Sequence, residues 1–548
     1  MTNFIDKASL IMIPSAYGEG KLACVKPTNG SGDFTFTRAS SAIRTNPSGF
    51  LEPACYNLLT QSEGNMATYP SRGNVSNAPI SIVGFDNSIE FGDNSVARAT
   101  YKLFTPTIGT TYNISCFIEM EDGGIPVIGL NNSSGDFRLL IGDGIVTLGN
   151  IVELVSGNLY RVSGVRTATT STLGSFGIVK YTTQSARKFK ISGIQLTEGA
   201  DLKPYQKTTD RLNVPRLDYS NGATCPSVLI EPQRTNLLLR SGEFDVSPWG
   251  TLGTTTITPN STIAPDGNNT AYLILGDDAS SSISQIYNGS IGVVYTSSFF
   301  IKNNNSTQSK LLIRNSSSVV DSTLNWTGSV LSSITNTIGI TTFESYNNGW
   351  YRITSTYTSV EAAQRPRVQP TSSTNQSVYI WGAQLEQASY PTSYIPTLGT
   401  TVTRIADNVF KTIPTILNSG TIFFKPHSMK GESITNKMIG VSDGGGVVNF
   451  FGLYSISSKL YIRNRQNNVD LNIVELINTV NPKIAISFGV FGTKIFIDGV
   501  LVGTSSVAYN GFVNKVELLG NNGMSKIEEL HIYSTALPDQ ECIELTTL

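Results

Sequence analysis

Two stretches decide the fold: Tyr112-Asn113-Ile114-Ser115-Cys116-Phe117-Ile118, and Tyr295-Thr296-Ser297-Ser298-Phe299-Phe300-Ile301 much further along the chain. Each is rich in aromatic and β-branched residues and bounded by polar turn clusters, the pattern of a β-strand with a buried face. They are not an isolated match. Upstream, Glu52-Pro53 and Asn57-Leu58-Leu59 followed by Ser62-Glu63 correspond to Glu231-Pro232 and Asn236-Leu237-Leu238 followed by Ser241-Gly242-Glu243. Downstream, Leu159-Tyr160-Arg161-Val162 matches Trp350-Tyr351-Arg352-Ile353, and Gly193-Ile194-Gln195-Leu196 matches Gly382-Ala383-Gln384-Leu385. Matches in one order at similar separations make this an internal repeat.

The repeat sets the organisation. A chain of 548 residues is too long for one core and divides into several domains. Two homologous modules occupy 55–210 and 232–400, joined by a linker over 211–231. Short strands without helical periodicity bury one face each most simply in two facing sheets, so each module reads as a jelly-roll sandwich. Residues 1–54 are set apart as an N-terminal docking segment. Pro391, Pro396 and Gly399 punctuate the boundary before a final section, 401–548. There Lys494-Ile495-Phe496-Ile497-Asp498-Gly499-Val500-Leu501-Val502 predicts a hairpin turning at Asp498-Gly499, and Pro538-Asp539 starts a short helix. The expected fold class is all-β, with three sandwiches in line.

Composition excludes several functions. Charged residues make up only 14% against about a quarter in ordinary soluble domains, so hydroxyls and amides finish the surface. Lys+Arg 39 and Asp+Glu 40 nearly cancel, with no basic run, and nucleic-acid binding is not expected. No segment has the length of a membrane span and no secretion leader is visible. Cys24, Cys55, Cys116, Cys225 and Cys542 are scattered and odd in number, which suits reduced thiols in a protein made in a cytoplasm.

Catalytic signals are weak. His427 and His531 are the only histidines, and neither sits in a nucleophile–base motif. Glycoside hydrolysis needs only two carboxylates. Glu528-Glu529 are neighbours that alternation sends to opposite faces, and Glu119 and Glu121, which share a face, run into a Gly123-Gly124 turn. Sugar binding is better supported, because aromatic faces stack on sugar rings while amides and hydroxyls take their OH groups. All four tryptophans lie in the second module. Trp350 and Trp381 read as core; Trp326, in a polar stretch, is the candidate platform, with Trp249 beside it. Asp266-Gly267-Asn268-Asn269 offers oxygen ligands for a structural Ca²⁺, and equally reads as a plain turn. No other cofactor is expected.

The paired modules resemble the jelly-roll carbohydrate-binding modules of phage virion proteins. The resemblance is carried by Tyr379-Ile380-Trp381-Gly382-Ala383-Gln384-Leu385-Glu386 with Ser389-Tyr390-Pro391-Thr392-Ser393-Tyr394-Ile395-Pro396-Thr397, and by Pro265-Asp266-Gly267 before Ala271-Tyr272-Leu273. The first module departs from it, with Ser192 in place of Trp381. The last section resembles the concanavalin-like, laminin-G-like sandwich through its Asp498-Gly499 hairpin and Ile532-Tyr533…Ala536-Leu537. Phe34-Thr35-Phe36-Thr37-Arg38-Ala39-Ser40 and Arg44 resemble the start of fibre proteins of crAss-like phages. The resemblance implies a non-enzymatic head or tail fibre on the virion surface. Such a protein docks to other virion proteins through its N-terminal region, carries glycan-binding sandwiches and works as a homo-oligomer, a dimer or trimer. A polysaccharide depolymerase and a decoration protein without a glycan ligand are the alternatives.

Overall fold

The structure is a computed structural model. It describes residues 4–547 apart from short stretches at 70, 73–74, 143, 147, 315–317, 371–373, 432–435, 445–448, 458, 477–480, 510–512 and 521–522. It is all-β, 52% strand and 4% helix, as the period-two pattern requires. The chain forms two compact units, Cys55–Leu212 and a second built from Met1–Ala54 with Asn213–Leu548.

The Cys55–Leu212 unit is one sandwich. Its six-stranded sheet runs, in spatial order, Leu148–Ser156, Leu159–Thr167, Thr111–Met120, Phe189–Glu198, Ile89–Phe91, Val75–Asn77. A five-stranded sheet faces it, with Gly174–Lys180 between Arg138–Ile141 and Arg98–Phe104. Ile114, Cys116 and Ile118 alternate inward from the central strand and meet Leu139, Phe176 and Ile178 in the core.

The second repeat has the same strand order. One sheet runs Thr255–Thr262, Ala271–Gly276, Gln376–Glu386, Val294–Asn303, Trp350–Thr358, Ile340–Tyr346. Here the central strand is buried on both sides. Phe299 and Ile301 enter the core, while Phe300 points outward beneath Leu51, Trp350, Trp381 and Tyr394.

The repeat extends to individual hydrogen bonds. Asn57 donates to the carbonyls of Ile194 and Gln206 and accepts from the amides of Leu59 and Leu196. Asn236 does the same with Ala383, Ile395, Leu238 and Leu385. Gly193 and Gly382 both sit at φ 59 where the sheet register shifts. A Cβ there would lie 2.8 Å from Phe117 or 2.9 Å from Phe300, so glycine is required on both counts. The Ser192/Trp381 difference has a local cause. In the first module Phe85 packs at a tilt against Phe117 with centroids 4.8 Å apart, and in the second Trp381 lies 5.5 Å from Phe300.

The final sandwich differs from the expected boundaries. Residues 1–54 do not stand apart as a segment of their own. Leu10–Met12 pairs with Gly523–Tyr533, and Phe34–Thr37 pairs with Asn408–Leu417. Leu10, Met12, Phe34 and Phe36 are buried in one core with Val409, Phe424, Leu530 and Ile532. Nor are residues 211–231 only a linker, because Leu217–Asp218 and Ser227–Ile230 extend the same sheet beside Gly523–Tyr533. Apolar side chains alternating in these short strands can be buried only against a larger sheet, and that sheet lies in the last section. The hairpin turns where expected, Ile497 opposite Val500, with Asp498 at φ 48 and Gly499 at φ 81. The helix runs Asp539–Thr547.

Candidate functional site

The candidate site is a cleft of about 660 Å³ in the larger unit. Glu231, Thr392 and Ser393 line it, and through Glu231 it adjoins an ionic cluster withdrawn from solvent. Arg216 bridges Glu231 at 2.5 Å and Asp407, Arg38 reaches Asp407 at 2.7 Å, and Arg404 reaches Glu231 at 2.9 Å. Glu386, also buried, accepts from the Thr392 amide and hydroxyl, so three cations are set against three carboxylates. Burial pushes the Glu231 carboxyl up, but the guanidinium groups of Arg404 and Arg216 outweigh it and hold it well below the usual carboxylate range. Ser393 donates to Glu231 through both its amide and its hydroxyl, which fixes the loop floor.

The walls come from three parts of the chain. The hairpin of Ile43–Thr45 and Leu51–Pro53 presents Arg44, paired with Glu52 at 2.9 Å. Beside it, Asp218 accepts from the Thr45 amide at 3.0 Å and pairs with Lys526 at 2.8 Å, which also donates to the Ser220 hydroxyl. The segment Ile340–Tyr346 supplies Glu344 and Tyr346, whose ring meets Phe300 edge-on at 5.0 Å, and Asn347 donates to the Ser48 carbonyl. Tyr346 and Tyr219 are half-buried, while Glu344, Asn347 and Lys430 are exposed at the mouth. Burial, then the nearby Glu344, pushes the Tyr346 hydroxyl up to about 12, so it stays a donor at neutral pH.

His427 also lines this cleft, and its Nδ1 lies 3.1 Å from Glu528. Alternation fails at this point. The register shifts between Lys425 and Pro426, and Lys425 lies 2.9 Å from Glu528 and 3.7 Å from Glu529. A β-bulge therefore turns the two adjacent glutamates to the same side, against the expectation from strand period. His531 is buried and lies 3.4 Å from Glu529.

The residues singled out from sequence fall elsewhere. Trp326 and Trp249 are not presented platforms; they are 7% and 8% exposed and belong to the sandwich core. Trp326 donates its indole N–H to Ser309 at 2.8 Å, and Trp249 donates to the Arg240 carbonyl at 2.9 Å. Their polar sequence neighbours concealed a regular alternation: Val320, Ser322, Leu324 and Trp326 all point inward. Asp266 is half-buried, and both its carboxylate oxygens face Asn268, one accepting the amide at 3.0 Å and the other the side chain at 3.3 Å. This is the hydrogen bonding of an Asx turn. Among the described residues no three His, Cys, Asp or Glu side chains are grouped to hold a metal. Glu119 pairs with Lys190 at 3.3 Å, and Glu121 is exposed at the strand end.

No family model matches the chain. No curated protein matches it either. Among solved structures it is similar to the N-terminal CBM22-1–CBM22-2 tandem domain of Paenibacillus barcinonensis Xyn10C. That match has 11% identity and a TM-score of 0.21, and covers 61% of this chain and 96% of that one. It is also similar to the ANXUR2 extracellular domain of Arabidopsis thaliana, with 9% identity and a TM-score of 0.14, over 67% of this chain and all of the other. Neither likeness bears on what this chain binds.

Sequence reading missed Tyr219, Tyr346 and Asn347. Tyr219 lies far from the adjacent pair Tyr346-Asn347 in the chain, and no local pattern brings the two segments together.

Proposed function

We propose that this protein is a non-enzymatic, adhesive structural component of a tailed-phage particle, a head or tail fibre that holds glycan in the cleft between Tyr219 and Tyr346. The cleft carries the binding half of this reading. Its volume falls within the range of small-ligand sites, roughly 300–1,000 Å³. Partly buried tyrosines stand beside an amide, hydroxyls and ion pairs that are already neutralised. Such a lining stacks on sugar C–H faces and answers sugar hydroxyls, without demanding a charged ligand. The virion half rests on the sequence resemblance of residues 34–44 and 379–397.

Glycan-array screening of the full chain, followed by calorimetry on the hits, tests the binding half. Binding should be lost in Tyr346→Ala and Tyr219→Ala and kept in Trp326→Phe. Binding untouched by both tyrosine changes would remove the cleft from consideration. Mass spectrometry of purified particles tests the virion half, and a reducing-end assay on host polysaccharide tests for hydrolysis. Sugar release abolished by Glu528→Gln would promote the depolymerase reading.

A further inference from the structure

Among the described residues the strand Leu148–Ser156 is an edge of its sheet, hydrogen-bonded on one side to Leu159–Thr167. Natural edge strands are commonly guarded by lysine, proline or brevity, because unpaired backbone N–H and C=O groups template further pairing. This one is nine residues long and carries neither lysine nor proline. Ile151, Val152, Leu154 and Val155 are 39%, 37%, 63% and 50% exposed. Successive side chains alternate sides, so apolar groups stand on both faces of the strand. Its single charge, Glu153, lies opposite Arg161 of the neighbouring strand, so the edge is locally neutral.

The corresponding edge of the second repeat is different. Ile340–Tyr346 sets Thr341, Thr342, Glu344 and Ser345 around Ile340 and Phe343. That edge also lacks lysine and proline, and it exposes Ile340 at 70% and Phe343 at 43%. Polar residues separate those two, whereas Ile151, Val152, Leu154 and Val155 are interrupted by Glu153 alone.

We propose that Leu148–Ser156 pairs antiparallel with the same strand of a second copy of this chain, about a two-fold axis at Val152. The occupant follows from the edge itself. Its free backbone groups are matched only by another strand edge, and the edge is complementary to its own two-fold mate. Pairing about Val152 sets Ile151 opposite the partner subunit's Glu153 and Asn150 opposite the partner subunit's Leu154. The two Glu153 carboxylates are then offset rather than opposed, and each keeps its Arg161. The six-stranded sheet continues across the dimer, and the apolar edge leaves water without any charge being stripped of its partner.

Light scattering on the full chain at micromolar concentration tests this. The wild type should be a dimer with a concentration-dependent thermal transition. L154K with V155K should reduce it to a folded monomer whose transition no longer depends on concentration, since both side chains are exposed. Changing Ile340 and Phe343 to lysine should leave the dimer intact. In a Cys225→Ser background, Val152→Cys should give a disulfide-linked dimer on mild oxidation, because directly opposed residues lie within disulfide reach; Val330→Cys should not. A monomeric wild type would overturn the proposal. So would a dimer that survives L154K/V155K, or crosslinking at Val330 equal to that at Val152.

Discussion

Arg216 and Asp407, 191 residues apart in sequence, are in direct ionic contact, and neither side chain is reached by solvent. Asp407 also accepts from Arg38 and from the Glu231 amide at 2.9 Å, so one carboxylate ties together the N-terminal segment, the strand at 227–230 and the start of the final section. Asp407→Ala would leave the buried Arg38 guanidinium without its carboxylate and Arg216 with Glu231 alone. The expected loss is about 3–5 kcal/mol, the usual cost of breaking a buried pair from one side. Arg216→Lys should recover little, because one ammonium does not span both Glu231 and Asp407. Urea unfolding of the two variants measures both effects.

The same cluster sets a pH dependence. Glu231 and Asp218 both have carboxyls held below their ordinary values of 4.5 and 3.8, burial working against this and Arg404 and Lys526 overcoming it. A depressed folded pKa gives stability that is complete above the ordinary value and is lost as pH falls toward the folded one. The melting temperature should therefore hold from neutral pH to about pH 5 and fall progressively below about pH 4.5. Glu231→Gln should lower the neutral-pH value and flatten the acid limb. Calorimetry across that range gives the slope.

Asn57→Ala and Asn236→Ala test the repeat. Each removes four hydrogen bonds and leaves backbone amides of buried residues without an acceptor, for a loss of about 3 kcal/mol or more. Because Asn57 belongs to the Cys55–Leu212 unit and Asn236 to the other, each change should move a different calorimetric transition.

Cys55–Leu212 interrupts a unit that is otherwise continuous, leaving it after Ala54 and returning at Asn213. Both flanks are anchored within that unit: the Ala54 amide donates to Ala42, and the Asn213 side chain accepts from the Arg38 amide. A chain in which 55–212 is replaced by a short Gly/Ser linker should fold with a β-type circular dichroism spectrum and one cooperative transition. A molten product would show that the inserted module is needed for folding.

Gly499→Ala should cost about 1–2 kcal/mol, the penalty for a side chain in the left-handed region. At φ 81 the new Cβ would also lie 2.7 Å from the Thr547 hydroxyl, so the helix Asp539–Thr547 should loosen with the turn. Hydrogen exchange at both places reports it.

Local patterns carried much of this fold into view. Asn57 and Asn236, the Gly193 and Gly382 kinks and the Asp498-Gly499 turn are legible because their chemistry is short-ranged and repeats at fixed spacing. The placement of Phe34–Thr37 beside Asn408–Leu417 is not legible, because a four-residue alternating strand says that it needs a partner and nothing about where the partner lies. The site suffered twice. Polar neighbours made Trp326 look solvated although every second residue of its strand is buried. The bulge at Glu528 broke a period that was taken to be regular.

Beyond a local bridge from Ile11 to Lys26, the strand Leu10–Met12 pairs along its length with Gly523–Tyr533. During synthesis Leu10–Met12 and Phe34–Thr37 must therefore wait for the strands Gly523–Tyr533 and Asn408–Leu417 before they can be covered. At roughly 5–20 residues per second that delay is of the order of a minute. Cys55–Leu212, whose contacts close within itself, can fold during the wait. The order of assembly thus runs from the middle outward, and the early exposure of Leu10, Met12, Phe34 and Phe36 marks the stage at which this protein is most open to aggregation or to a chaperone.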